Sequence, residues 1–552
     1  MTMLDAQTEQ LRVIAERLGA LAEERQLTFL RQLRDKGVSL ERLPIGRQPC
    51  ERASLSPAQS RLWFLWQMEP DSAAYNIPAA VRLRGVLDRS ALRRAFEALV
   101  VRHESLRTLF RDEGGEPLQV ILPSLPLALV EKDLSALPQT QREASAGEHL
   151  EQSARRPFDL AEGPLLRLDL LRLDADHHIL LLTLHHIVSD GWSMGVLIDE
   201  FANLYSAFAE GREADLAPLP IQYADHARWQ RLWMAAGEEQ RQLDYWTRRI
   251  GDPALVLTLS SDRPRPPVQS YRGAAQNFEL PLPLVIGLRS LARGQGASLF
   301  MVLLAAFEVL LMRYSGQREL RVGVPVANRG RAECERLVGF FVNTQVLCSE
   351  IDEHASFAQL LGEVRQAVLD AQAHQELPFE RLVDVLQPER SLSHNPLFQV
   401  ACNHLPSARD ALRELPGGEG GRLTLESLTL DVGIAKFDLM LQTEEGRDGQ
   451  VRGQFVYATD LFDASTIERL CGHFLNLLQA LVADPRQPVG QLPMLAKPER
   501  EQLLHGWNAT EAAFPDAVQL QTLLEQQASR SPDALALQFG AQRLSYRELH
   551  SR

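Results

Sequence analysis

The apolar run Ile179-Leu180-Leu181-Leu182-Thr183-Leu184 leads directly into His185-His186-Ile187-Val188-Ser189-Asp190-Gly191, and a helix-like run from Met194 to Phe208 follows. Two imidazoles therefore stand where a buried strand stops and a turn begins. That is a place to hold a rigid acid/base group at the mouth of a cleft. Successive side chains of a strand point to opposite faces, so His185 and His186 cannot both face one cavity while the strand persists.

The chain has 552 residues, too many for one ordinary core, and two or more lobes are expected. Its formal net charge of −14 argues against nucleic-acid binding, which needs a basic footprint, while leaving room for local basic patches that meet an acidic partner. Cys50, Cys334, Cys348, Cys402 and Cys471 are scattered with no CxxC pair. This pattern argues against a zinc site and for reduced thiols in a cytoplasmic protein. The N-terminus has no basic region followed by an apolar core, and no apolar segment is long enough to cross a bilayer.

Residues 7–36 read as helix, with Ile14, Leu18, Leu21, Leu27, Leu30 and Leu33 at helical spacing and Gly37 as the stop. This segment either packs on the main body or docks an upstream chain, and packing is favoured. Residues 42–52 read as a connector. From Leu55 strand and helix signals alternate, and a second series of the same kinds of element starts after Trp229. The recurrence implies two similar α/β lobes. The expected divisions are 1–50 (helical segment and connector), 51–228 (first lobe), 229–490 (second lobe), 491–515 (linker) and 516–552. The last piece holds a helix from Leu520 to Ser529 and a hairpin turning at Gly540. It cannot bury a core alone, so the chain is expected to be cut from a longer one.

Seven stretches carry a resemblance. They are Ser56–Leu65, Arg102–Phe110, His185–Ser193, Tyr223–Trp229, Val338–Thr344, His374–Glu380 and Arg390–Gln399. In this order they resemble the condensation domains of non-ribosomal peptide synthetases over residues 54–400, with similar sequence continuing to about 485. The tail from about 515, with Leu544–Leu549 as its marker, resembles the opening of an adenylation domain. The resemblance implies an α/β fold of two chloramphenicol-acetyltransferase-like lobes, a V-shaped pseudo-dimer with a central tunnel. It implies an acyltransferase that joins a donor acyl or peptidyl thioester to the amine of an acceptor aminoacyl thioester. Both substrates would arrive on phosphopantetheine arms of partners, an upstream donor and a downstream acceptor carrier protein. No cofactor is expected to be bound by the chain's own residues, and no metal. An adjoining adenylation domain is a further partner, and neither nucleic acid nor membrane is.

By the same resemblance His186 faces the tunnel as the catalytic imidazole and His185 supports it. Asp190 pairs with Arg329 to hold the loop, rather than completing a triad. Gly191 either presents its amide to the thioester carbonyl or is a plain turn glycine. Trp192 reads as core packing and Ser193 as a helix N-cap before Met194. Arg61 either pairs structurally or meets the phosphopantetheine arm. Asn343 is a tunnel-wall residue or satisfies backbone groups. Trp63 and Phe64 read as core aromatics, and His103 and Arg107 as structural. The motifs around Asp190 and Phe340 resemble condensation domains that take an L-configured donor. Two alternatives share the fold: an epimerase, and a catalytically silent platform that recruits carrier proteins.

Overall fold

The computed structural model describes residues 3–387, 391–405, 412–428, 430, 433–446, 448–512 and 518–552. Arg390, at the start of the seventh stretch, and the expected boundary at 515–516 lie outside the described residues. The chain forms two compact units, Met1–Met494 and Leu495–Arg552.

In the larger unit the strands are β1 (Arg52–Ser54), β2 (Asn76–Gly85), β3 (Thr108–Glu113), β4 (Glu116–Ile121), β5 (Ala128–Asp133), β6 (Leu166–Asp174) and β7 (His177–His185). They continue as β8 (Gly273–Leu280), β9 (Glu319–Val326), β10 (Asn343–Glu350), β11 (Val400–Leu405), β12 (Leu412–Pro416), β13 (Arg422–Leu428), β14 (Leu439–Glu445) and β15 (Val451–Ala458). The first lobe is a six-stranded sheet in the order β12-β13-β2-β7-β6-β5, and the second a six-stranded sheet in the order β10-β9-β11-β14-β15-β8.

The apolar run of β7 does not alternate because both of its faces are covered. Leu180, Leu182 and Leu184 pack with Leu92, Phe96, Phe201 and Tyr205 of the helices Arg89–Arg102 and Gly191–Ala209. Ile179 and Leu181 pack on the other side with Ala146 and Leu150 of the helix Gln139–Ala154. The period of two survives in the packing although the sequence conceals it. In the second lobe the helix Leu299–Ser315 is apolar on nearly every face, Glu308 apart, and is buried along nearly its whole length. Among the described residues no single helix is long and apolar enough to cross a membrane.

One expectation needs correction. The lobes are not contiguous halves divided at residue 228: β12 and β13, from the second half, join the first lobe's sheet through β13 pairing with β2. Backbone edge pairing made this long-range connection, which no local pattern signals. The leading helical segment is two helices, Met3–Gly19 and Glu23–Asp35. Their Ala15, Leu18, Leu30 and Leu33 pack with Trp229, Trp233 and Phe341 on the main body. Gly37 ends the second helix's turn at φ 78°.

The smaller unit holds the helix Leu520–Arg530 and the hairpin β16 (Leu535–Phe539) and β17 (Gln542–Ser545), with Gly540 at φ 59° in its turn.

One close approach in the second lobe has a measurable consequence. A Cβ at Gly323 of β9 would stand 2.1 Å from the ring of Phe398, which is fully buried beside it. Gly323→Ala is expected to destabilise the protein by about 1–3 kcal/mol through overpacking, read as a lower chemical-denaturation midpoint. An unchanged midpoint would show that the ring has room to move.

Candidate active site

β7 pairs with β2 up to His185, which stands opposite Asn76, and there the ladder ends. The next three residues, His186–Val188, form a 3-10 turn. His185 is buried. Its Nδ1 accepts the Ile187 amide at 3.1 Å, and its ring lies edge-on to Phe158 at 6.0 Å. Burial first, then the charges of Lys436 and Arg167, push it down to about 3, so it is a neutral packing group.

His186 is half-buried and held differently. Its backbone amide donates to the Tyr75 carbonyl at 2.9 Å. Its Nδ1 lies 3.1 Å from the Ser189 carbonyl, which can only accept, so Nδ1 carries the proton and Nε2 the lone pair. Nε2 has no hydrogen-bond partner among the described residues. Tyr75 and Phe340 flank the ring edge-on at 6.4 Å and 5.3 Å. Burial, Lys436 and His185 hold its pKa well below the ordinary imidazole value. The result is an oriented, neutral imidazole with an unspent lone pair, able to accept a proton or a hydrogen bond.

Asp190 does not orient His186. It is fully buried and caps the helix Gly191–Ala209: Oδ1 accepts the Ser193 amide at 2.7 Å, and Oδ2 accepts the Phe341 amide at 3.0 Å. Nη2 of Arg329 approaches the same carboxylate at 3.1 and 3.3 Å and donates to Ser193 Oγ at 2.7 Å. Nη1 of Arg329 donates to the carbonyls of Cys334 and Leu337 at 2.6 and 2.8 Å, and its guanidinium covers the Phe341 ring at 3.9 Å. Ser193 Oγ donates to the Gly339 carbonyl at 2.9 Å and lies 3.1 Å from the Gly339 amide. Tyr223 donates to the Phe340 carbonyl at 2.6 Å and meets Ser56 Oγ at 2.9 Å. The loop 339–341 is thereby clamped beside His186. Gly339 is required in it, because a Cβ there would stand 2.0 Å from the Tyr223 ring.

Three readings of side chains are corrected, and one left between two alternatives is narrowed. Asp190, not Ser193, is the N-cap, and the helix starts at Gly191; an Asp oxygen reaches the third amide as a Ser would. Trp192 is not in the core: it is 46% exposed, with Nε1 donating to the Glu335 carbonyl at 2.8 Å, because the first turn of the helix faces outward at that position. Phe64 is 56% exposed, on the outer face of the helix Pro57–Met68 whose inner face buries Leu62 and Trp63. Of the two readings of Asn343, tunnel wall or satisfier of backbone groups, its hydrogen bonds fit the second. Its Nδ2 donates to the carbonyls of Gln375 and Leu377 at 2.8 and 2.6 Å, and its Oδ1 accepts the Phe379 amide at 3.1 Å, so it braces that loop.

Gly191 is exposed, and a Cβ built on it would meet nothing within 4 Å. No neighbouring protein group demands a glycine there, and the space beside its backbone is open. Arg61 pairs with Glu380 of the other lobe at 3.2 Å. A cleft of about 900 Å³ is lined from both sides by 68–74 and 269–273, with Arg155, Gly433, Ile434 and Thr459. Its wall at Ala74 adjoins Tyr75, the residue whose carbonyl anchors His186. Among the described residues no group of three His, Cys, Asp or Glu could hold a metal ion, and all five cysteines are free. Sequence reasoning missed Tyr75, Tyr223 and Lys436. Tyr223 opens one of the seven stretches, whereas nothing local marks Tyr75 or Lys436.

The condensation-domain family matches residues 51–504. Among curated relatives, one of the linear gramicidin synthase proteins of Brevibacillus parabrevis is 43% identical over 512 residues, 92% of this chain and 6% of that one. Phosphinothricin tripeptide synthetase of Streptomyces viridochromogenes is 42% identical over 539 residues, 97% of this chain and 49% of that one. The chain thus spans less than half the length of these curated relatives. A four-domain non-ribosomal peptide synthetase solved with AMP and glycine superposes with a TM-score of 0.78 at 24% identity, over 91% of this chain and 38% of that one, which shows the fold. The X-domain from teicoplanin biosynthesis superposes with a TM-score of 0.73 at 26% identity, over 82% of this chain and the whole of that one. The fold is the two-lobed, chloramphenicol-acetyltransferase-like one, and this chain belongs to the condensation-domain family.

Proposed function

We propose that this chain forms peptide bonds between a donor acyl or peptidyl thioester and an acceptor aminoacyl thioester, each carried on the phosphopantetheine arm of a carrier protein. The observation that carries the reading is the bare Nε2 of His186, with Nδ1 committed to the Ser189 carbonyl. The acceptor amine attacks the donor carbonyl carbon, a C–N bond forms, and the carbonyl oxygen takes up negative charge. Nε2 accepts the amine proton and returns it to the departing thiolate as the C–S bond breaks. Holding two tethered reactants together lowers the barrier further. The open space at Gly191 fits a passage for the reacting groups, and the central tunnel of this reading would run past His186. Arg61 is assigned to pairing with Glu380 rather than to an arm.

The stretches Val188–Ser193 and Gly339–Thr344 favour the subtype that takes an L-configured donor. Residues 516–552 are read as the opening of an adenylation domain: Leu520, Leu523, Leu524, Leu537 and Phe539 are exposed there, an apolar face that a fuller domain would cover. Free cysteines fit a cytoplasmic setting. The recruitment-platform reading has one relative in its favour, an X-domain solved in complex with OxyB. Two loaded carrier proteins incubated with this chain separate the readings by mass spectrometry. Dipeptide on the acceptor supports condensation, an inverted stereocentre an epimerase, and binding without turnover a platform.

His186→Ala is expected to lose at least about 100-fold in single-turnover rate while keeping its melting temperature. Wild-type-like turnover would remove the chemical role of His186. Asp190→Ala leaves Arg329 buried without its partner and is expected to cost about 3–5 kcal/mol, read as a lower melting temperature; an unchanged transition would contradict the clamp. The pH dependence follows from the depressed imidazole. His186 is neutral above its lowered pKa, so it contributes no break near pH 6.5. The acceptor amine, near about 8, must be neutral to attack. Single-turnover rates are therefore expected to rise about tenfold per pH unit from pH 6 towards 8 and then level off. A plateau already reached at pH 6.5 would contradict this.

A further inference from the structure

The connection that returns from β13 to the second lobe's β14 sets Lys436 beside Tyr75. Its Nζ lies 4.8 Å from the centre of the Tyr75 ring, and that ring lies 6.4 Å from the imidazole of His186. Gly433 and Ile434, just before it, line the cleft. The ammonium has no ion pair or hydrogen bond among the described residues. Glu69 and Asp71 line the cleft, and neither forms an ion pair with Lys436. Glu380 is paired with Arg61, Asp438 with Arg265, and Asp190 with Arg329. Arg61, Arg167 and His185 are the other groups that carry or could take up positive charge around it, and Tyr271 and the exposed carboxylate of Glu69 face the same cleft. A half-buried cation left over a ring is costly, and a methionine of similar length would fill the same space without that cost.

We infer that Lys436 is a positioning residue for the reaction: its ammonium, set beside Tyr75 with no carboxylate partner, acts through His186 by opposing the protonated imidazole and so keeping the Nε2 lone pair free. The inference rests on the proposed chemical role of His186. The two ring separations bound the ammonium to within about 11 Å of the imidazole, close enough for one charge in a half-buried site to move a titration by about one pH unit. The electrostatics run the same way. Burial, then Arg61, lowers Lys436 to about 8, so it carries its charge across the range in which imidazoles titrate. After burial, Lys436 is the largest influence holding down both His185 and His186.

The test is the titration of His186 itself. The chain labelled with 13C-histidine is titrated by NMR, with His186→Ala identifying the resonance. Lys436→Met is expected to raise the His186 midpoint by about one pH unit, with unchanged or higher thermal stability. Lys436→Arg, which keeps the charge, is expected to leave the midpoint in place. In single-turnover condensation with loaded carrier proteins, Lys436→Met should fall off more steeply than the wild-type protein below pH 6, and Lys436→Arg should not. An unchanged midpoint in Lys436→Met overturns the coupling whatever the rate does. Full turnover by His186→Ala overturns the functional reading even where the midpoint has moved.

Discussion

The buried pair of Asp190 and Arg329 is the constraint on which the rest of the site depends. Neither side chain is accessible to solvent to any useful degree, and each belongs to a different lobe. Two buried charges are tolerable only when their hydrogen-bonding capacity is nearly spent. Here the carboxylate accepts two backbone amides as well as the guanidinium. The guanidinium donates to two carbonyls and a hydroxyl and covers the Phe341 ring. The carboxylate also sits at the N-terminus of a nineteen-residue helix, where a negative charge is favoured. One interaction therefore fixes the start of that helix, the loop 339–341 and the turn that holds His186.

This arrangement separates the site from a Ser-His-Asp style of catalysis. An aspartate near a histidine would ordinarily stabilise the imidazolium. Asp190 is instead neutralised by Arg329, and the proton on Nδ1 of His186 is held by a backbone carbonyl. Burial and neighbouring positive charge both oppose protonation of the ring. The imidazole is thereby suited to accept a proton transiently rather than to store one.

The crossing of the chain between lobes has a second consequence. β12 and β13 leave the second lobe and close the edge of the first lobe's sheet, and the return path passes the cleft. The segment 433–438 is therefore where a residue can reach both the cleft and the neighbourhood of His186. It places Gly433 and Ile434 on the cleft wall and Lys436 beside Tyr75, while Asp438 is tied to Arg265 at its far end.

Local pattern determined much of this molecule. The apolar hexamer before the paired histidines, the helical spacing of Leu92, Ala95, Phe96 and Leu99, and the glycines at 37 and 540 each specify backbone or burial within a few residues. The histidine pair at the end of a strand was likewise legible, because strand geometry keeps two adjacent side chains from sharing one cavity, while the separate role of each came from the resemblance. What the sequence could not determine were properties set by partners distant along the chain. Trp192 and Phe64 have side chains that suit a core, yet both stand at the surface, Trp192 with its indole N–H on the Glu335 carbonyl. Asn343 was ambiguous until the carbonyls at 375 and 377 met its amide. The cross-lobe strands, the anchoring of His186 by Tyr75 and the place of Lys436 came only from tertiary packing. Long-range pairing depends on which edges and cavities remain after the local elements have formed, and no window of sequence contains that information.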